Sequence, residues 1–420
     1  MPVDFYKLYT NDTPENPWTL QTATNRYQKG EFSLIHIPLP LYSLLLQPIL
    51  RVLLPYNEAE PSDESEDEEE SLIFDQEHGF LNISVTPIEC SVVCHKSWAE
   101  TVFQPIIDAL PKDEDDKVQI SVDSYIVFSV DSTGTDAGQR VMDLTSPLAM
   151  AGIPIFFITT YYTDFILVPS KDRHAVGKTL VSRGFEFSEE ESAYVVPTPN
   201  SHSRGPSSSS SANPPSTPPP SNIAELQART FKHLKRRNVK PFVQPGLRLV
   251  QCSGRDRIIE GRPMSNGNGN AIRHPSPLDK LNTRLYIAII SALIHQPTFL
   301  SLTISLEEGS SLLLDKTLLP LFGSSIQGDT DGDLVPIFLD LVDFPLESTG
   351  IVCGVAGKLV DEMRLNDKPK EEGGNAFGQE LSYLSTARAG AVVLSGVGSE
   401  RALEMLGGLL DQEGEGKLVV

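Results

Sequence analysis

Apolar residues along the chain fall into two kinds of block. Short blocks are apolar at nearly every position, or at every second one, and read as strands; longer ones repeat at helical spacing. "FSLIHIPL" (32–39) predicts a strand, "LYSLLLQPILRVLL" (41–54) a core helix, and "FLNISVTPIECSVVCHK" from Phe80 two strands about a tight polar turn. The same succession returns as "GLRLVQCS" (246–253), "LNTRLYIAIISALIHQ" (281–296) and "FLSLTISLEEGSSLLLDK" from Phe299. Downstream, the strand "YIVFSVD" (125–131) answers "PIFLDLVD" (336–343), and the helix "MDLTSPLAMAG" (142–152) answers "GIVCGVAGKLVDEM" (350–363). The hairpin "IFFITTYYTDFILV" (155–168) answers "ELSYLSTARAGAVVL" (380–394), and a last helix follows each, "RHAVGKTLVSRG" or "SERALEMLGGLL".

Strand, helix, strand, strand, helix is most of the βαββαβ order of ferredoxin-like domains. The expected fold is therefore α+β, with four such units arranged as a duplicated pair of two-unit halves. The boundaries expected are an N-terminal extension 1–29, unit one over 30–111 and unit two over 117–196. A Ser/Pro linker follows at 197–221, then a basic helix and unit three over 222–330 and unit four over 333–415. Insertions are expected at 57–70, 255–280 and 366–378. A unit of this size has only a marginal core alone, so pairing of sheets side by side is expected.

Charge narrows the functions. The formal net charge is −22, with nine carboxylates and no cation in "NEAEPSDESEDEEE" (57–70) and four more in "DEDD" (113–116). Such a balance offers phosphate backbones no electrostatic footprint, so nucleic acid is not an expected partner. Four scattered cysteines and an N-terminus without a basic-then-apolar signal pattern fit a cytoplasmic location. The most apolar tract, 34–54, is interrupted by His36, prolines and Arg51, and no membrane span is expected. Ser65 and Ser71 flank acidic residues, a setting for acid-directed phosphorylation. Cys90, Cys94 and His95 have a spacing that could suggest a metal, but on a strand Cys90 and Cys94 share a face and His95 takes the other. Packing is the expected role, and no metal, cofactor or catalytic set is expected: no nucleophile elbow or phosphate loop occurs.

"PLAMAGIPIFFITTYYTDFILVPSKD" (147–172) resembles the CASTOR family of ACT-domain arginine sensors in its helix, its strand, its S/T-T-Y turn and its T-D-F-I-L-V run. "STGIVCGVAGKL" (348–359) and "YLSTARAGAVVL" (383–394) resemble the same family's G-I-V helix start and its I-S-T hairpin. The resemblance implies a non-catalytic regulatory protein that binds an amino acid between units two and four and signals to a regulatory protein complex of the TOR pathway. A homodimer is left open.

The resemblance places the ligand on Asp143, Leu144, Thr145, Ser348, Thr349, Gly350, Ile351, Val352, Thr386, Arg388 and Gly390. The chemistry agrees with a helix start at Gly350, where exposed backbone amides can take a carboxylate and glycine leaves room for close approach. A matching helix start is expected near Asp143, which can receive an ammonium or serve only as an N-cap. Ser348 and Gly390 stand where the family carries carboxylates, so arginine lacks its bidentate partner. A smaller neutral or acidic amino acid is expected instead, with Arg388 facing the side chain in the acidic case or else solvated. The basic tract 226–240 is expected to be a solvated helix or to dock on an acidic surface. The rival reading is a ligand-free ACT-fold scaffold; a regulatory module of a biosynthetic enzyme is weaker, for want of a catalytic domain.

Overall fold

The computed structural model describes residues 24–54, 79–111, 117–131, 137–187, 220–255, 282–305, 309–346, 348–366 and 381–411. The acidic run 57–70, Ser65, Ser71, most of the Ser/Pro stretch and the segments 265–277 and 367–378 lie outside them. The longer strands are β1 (Thr24–Pro38), β2 (Phe80–Val85), β3 (Glu89–His95), β4 (Tyr125–Asp131), β5 (Phe156–Thr159) and β6 (Asp164–Pro169). They continue as β7 (Leu249–Gly254), β8 (Leu300–Ser305), β9 (Gly309–Asp315), β10 (Leu334–Asp340), β11 (Ser382–Ser385) and β12 (Ala389–Ser395). The longer helices are α1 (Tyr42–Leu53), α2 (Ala137–Met150), α3 (Arg173–Val181), α4 (Ile223–Arg236), α5 (Thr283–Ile294), α6 (Ile351–Asn366) and α7 (Gly396–Leu410).

In each strand–helix–strand–strand run the first strand pairs with the third, and the second lies beyond it. β1 pairs with β3, β4 with β6, β7 with β9 and β10 with β12, all antiparallel. The outlying second strands then meet each other. β2 pairs with β8 along its whole length, from Phe80 opposite Ser305 to Val85 opposite Leu300. β5 meets β11 at one pair, Ile158 opposite Leu384. There, side-chain hydroxyls replace ladder bonds: Phe157 N donates to Ser385 Oγ at 3.0 Å and Tyr383 N to Thr159 Oγ1 at 3.1 Å.

Two further junctions close the strands into a ring. β1 pairs with β3 through residues 32–38 and with β4 mainly through residues 24–28, shifting register between Gln28 and Phe32. On the opposite side, Leu249 of β7 pairs with Leu334 of β10. Some edge strands are exchanged. Glu186–Phe187, which follows α3, lies parallel to the start of β1, and Pro241–Phe242, ahead of β7, pairs with β10. Neither exchange shows in the local pattern, because a two-residue strand carries almost no periodicity of its own.

Strand alternation sorts side chains into three cores. Ile35, Ile37, Cys90, Val92 and Cys94 point outward beneath α1 and α5, while Phe32, Leu34 and Val93 point into the ring. On the other wall, Ile126, Phe128, Ile166 and Val168 face α2 to α4 and α6 to α7, and Tyr125, Val127, Phe165 and Leu167 face inward. The cysteines are thus core residues, with burial pushing the Cys94 thiol up to about 12. His95, on the opposite face, packs edge-on against Phe32 at 6.0 Å.

Two expectations about helices change. The segment expected to begin near Asp143 begins at Ala137, so Asp143, Leu144 and Thr145 lie mid-helix and their amides are committed to helical bonds. The basic tract is a helix with one face in the core rather than one solvated all round. Its residues Leu226, Thr230, Phe231 and Leu234 are buried against α6. Glycines on α6 allow that approach: a Cβ at Gly354 would lie 2.7 Å from Thr230, and one at Gly357 would lie 2.6 Å from Met142 of α2. Among the described residues no helix is long and apolar enough to cross a membrane.

Candidate functional site: a cleft at the start of helix α6

Gly350 sets the start of α6. Its φ of +80° lies in the left-handed region, and a Cβ there would meet Leu226 at 2.8 Å. A side chain is therefore excluded twice, by conformation and by space. The first amides of a helix have no intrahelical acceptor, so those after Gly350 can take an anionic group. They open onto a narrow cleft of about 50 Å³. Ser348, Gly350, Ile351 and Val352 form one side; Tyr383, Ser385, Thr386, Ala387, Ala389 and Gly390 form another. Ala149, Ile155 and Phe156 close the end, with Leu341, Phe344, Pro345 and Leu346. Among the described residues, none that lines the cleft carries a charge.

The turn at 386–389 owes its shape to Thr386. Its hydroxyl accepts from Ala389 N at 3.1 Å, and Thr386 N donates to Ala389 O at 2.9 Å. The same device makes the turns Thr86–Glu89 and Thr160–Thr163, where Thr86 and Thr160 accept from Glu89 N and Thr163 N. A threonine at the first corner satisfies backbone groups that would otherwise be orphaned. In the cleft wall, Tyr383 is buried, and burial raises its hydroxyl above the ordinary tyrosine range. That hydroxyl has no hydrogen-bond partner among the described residues. It points to where a Cβ on Gly390 would lie, 2.7 Å away.

Other expected site residues sit elsewhere. Thr349 is half-buried beside the cleft without lining it. Asp143 accepts from Gln139 Nε2 at 2.6 Å and faces a separate open groove between α2 and the start of α4. Leu144 is core, and Thr145 is buried beside Ser146, which lies 3.4 Å from the Cys353 thiol. Arg388 turns away from the cleft. Its guanidinium donates to Phe344 O at 2.6 Å and to Gln119, so the expectation that it meets a ligand side chain is corrected. The acidic-ligand case loses its cation, and the physical cause is competition: a backbone carbonyl and an amide already hold the guanidinium.

Sequence reasoning missed the rest of the lining. Phe156 and Ile155 come from the other hairpin, and Phe344 from a loop held by Arg237, whose guanidinium stands 4.8 Å over the Phe344 ring and donates to Asp343 O. The signal available was the pairing of T-T-Y-Y-T with S-T-A-R-A as equivalent turns. At Gly390's counterpart, Asp164 is buried with Arg140 Nε at 3.0 Å. Burial raises its carboxyl despite that cation. Among the described residues no cluster of His, Cys, Asp and Glu could hold a metal ion.

Residues 120–182 match the profile of the ACT domain family. No curated protein matches the chain. Among solved structures, protein Atu0741 from Agrobacterium tumefaciens aligns at 18% identity over 40% of this chain and 93% of that one, with a TM-score of 0.25. Aspartate kinase from Synechocystis aligns at 9% identity over 94% of this chain and 57% of the kinase, with a TM-score of 0.30. The chain thus spans little more than half of the kinase. At these TM-scores neither likeness carries an argument. An ACT domain is present, and ACT domains are regulatory amino-acid-binding domains.

Proposed function

We propose that this protein is a non-catalytic, cytosolic amino-acid-binding regulator. In this reading four ACT-like units form a duplicated pair of halves, and the recurrence of one strand order around the ring supports it. Ligand binds in the cleft at the start of α6, with no cofactor. The carrying observation is Tyr383, a buried residue whose hydroxyl has no hydrogen-bond partner among the described residues, beside the start of α6 in a cleft whose described lining is uncharged. The amides take the ligand's carboxylate, and the hydroxyl, with Ser348 and Ser385, takes a second polar group. Phe156, Phe344 and Leu346 face the side chain. An uncharged amino acid fits this lining, and arginine does not. By the family resemblance, the reader of the ligand state is a TOR-pathway protein complex.

A second reading, a scaffold that keeps the ACT fold without a ligand, is favoured by the size of the cleft. In the same measure one water needs roughly 10–15 Å³, so the present space holds a few waters and an amino acid enters only if the walls move. A thermal-shift panel of the twenty amino acids separates the two readings. A ligand at about a hundred times its dissociation constant adds roughly 2.7 kcal/mol. A shift with one uncharged amino acid supports the sensor; no shift with any supports the scaffold.

A further inference from the structure

The turn that lines the cleft is held from across the ring. Glu89, wholly buried on β3, accepts from the Thr386 hydroxyl at 2.5 Å and from the Arg388 amide with one carboxylate oxygen. Its other oxygen lies 2.5 Å from His36 Nδ1. Beside it, Ser91 Oγ accepts from Ala387 N at 3.2 Å. Arg388 then ties the same turn to Gln119 on the edge of β1 and to Phe344 O in the opposite wall. Both walls of the cleft therefore lead back to one buried carboxylate.

The equivalent turn at 160–163 crosses the ring differently. Tyr161 N donates to Ser311 Oγ at 2.8 Å and the Tyr162 hydroxyl to Ser253 Oγ at 2.8 Å. These anchors are neutral. A buried carboxylate bonded through both oxygens is costly to strand, so the turn 386–389 moves only with β3 or by replacing its bonds to Glu89.

We propose that Glu89 is a positioning residue that holds the cleft in its narrow form and couples its opening to the β1–β3 wall. This rests on the reading that the cleft admits an amino acid, and adds how entry is controlled. Occupancy would displace the turn from Glu89, and the change would reach His36, Ser91 and Gln119 on the far wall.

The test compares the full chain with its Glu89→Gln variant by amide hydrogen exchange and by calorimetric titration with the amino-acid panel. In Glu89→Gln, exchange across 383–390 is expected to rise about tenfold while 125–131 is unchanged, since one charged hydrogen-bond set is lost. Any amino acid that binds the wild type is expected to bind the variant about fivefold more tightly, because less of its binding energy goes into opening. A merely structural Glu89 would lose affinity together with stability. If Glu89→Gln does not fold, Ser91→Ala and Gln119→Ala, each removing one tether of the same turn, decide the matter by the same local exchange. Turn exchange that stays at the wild-type rate overturns the proposal even where an amino acid binds. Faster turn exchange with no amino acid bound by either protein leaves Glu89 in its role and removes the sensor reading.

Discussion

Tyr383 and Gly350 carry the sharpest predictions at the scale of single residues. Tyr383→Phe deletes a hydroxyl that holds no partner among the described residues, so chemical denaturation should give an unchanged or slightly higher stability. Ligand affinity should fall by about 1 kcal/mol, roughly fivefold, if that hydroxyl bonds the ligand. Equal affinity by calorimetry would remove Tyr383 from the site. Gly350→Ala behaves oppositely. A methyl group at φ +80° and 2.8 Å from Leu226 should cost roughly 1–2 kcal/mol of stability and disturb the helix start with it. At this scale Gly350 was legible as a helix-start glycine, because its sequence context, S-T-G-I-V, is local. Tyr383 was not, since its neighbours come from distant segments.

Helix α4 is where charge patterning misled. Lys232, Lys235 and Arg236 give it a basic appearance, yet Leu226, Phe231 and Leu234 repeat at helical spacing and are buried. Its start is secured by the Asn222 side chain, which accepts from Glu225 N at 2.8 Å. Glu225 in turn accepts from Ser221, hydroxyl and amide, and these bonds, followed by Arg229, hold its carboxyl down to about 2 from the usual 4.5. A carboxyl depressed in the folded state stabilises above its unfolded value and loses that contribution as pH falls through the folded one. Protection of α4 amides should therefore weaken between about pH 4.5 and pH 2. In Glu225→Gln this step should be absent and α4 less protected at neutral pH; a step of unchanged size would refute the assignment.

At the scale of the whole molecule, the joins are the β2–β8 ladder, the β5–β11 seam, the shared strand β1 and the bridge from Leu249 to Leu334. The β2–β8 ladder is specific: Asn82 Nδ2 donates to Leu302 O at 3.2 Å and Thr303 Oγ1 at 3.0 Å, and Ser84 and Ser301 hydroxyls lie 2.8 Å apart. Either half alone would expose β2 or β8 as an unpaired edge. Cleaving the chain within 200–215 should leave a 1:1 complex that elutes as one species, whereas residues 220–420 expressed alone should aggregate. Independent, monodisperse halves would show that the ring is not needed for folding.

Most strands and helices could be read from the sequence because each is fixed by its own neighbours: period-2 alternation for Cys90, Val92 and Cys94, helical spacing for α1 and α5, threonine corners for the turns. The repeat of these elements also pointed to side-by-side sheets. What only the tertiary structure decided is where non-local partners lie. Nothing within "VTPIECS" says that Glu89 will hold a turn nearly three hundred residues away, that Arg388 will leave the cleft for Phe344 and Gln119, or that β1 will serve both walls of the ring. Side-chain alternation tells which face a residue takes, and the path of the whole chain determines what stands opposite that face.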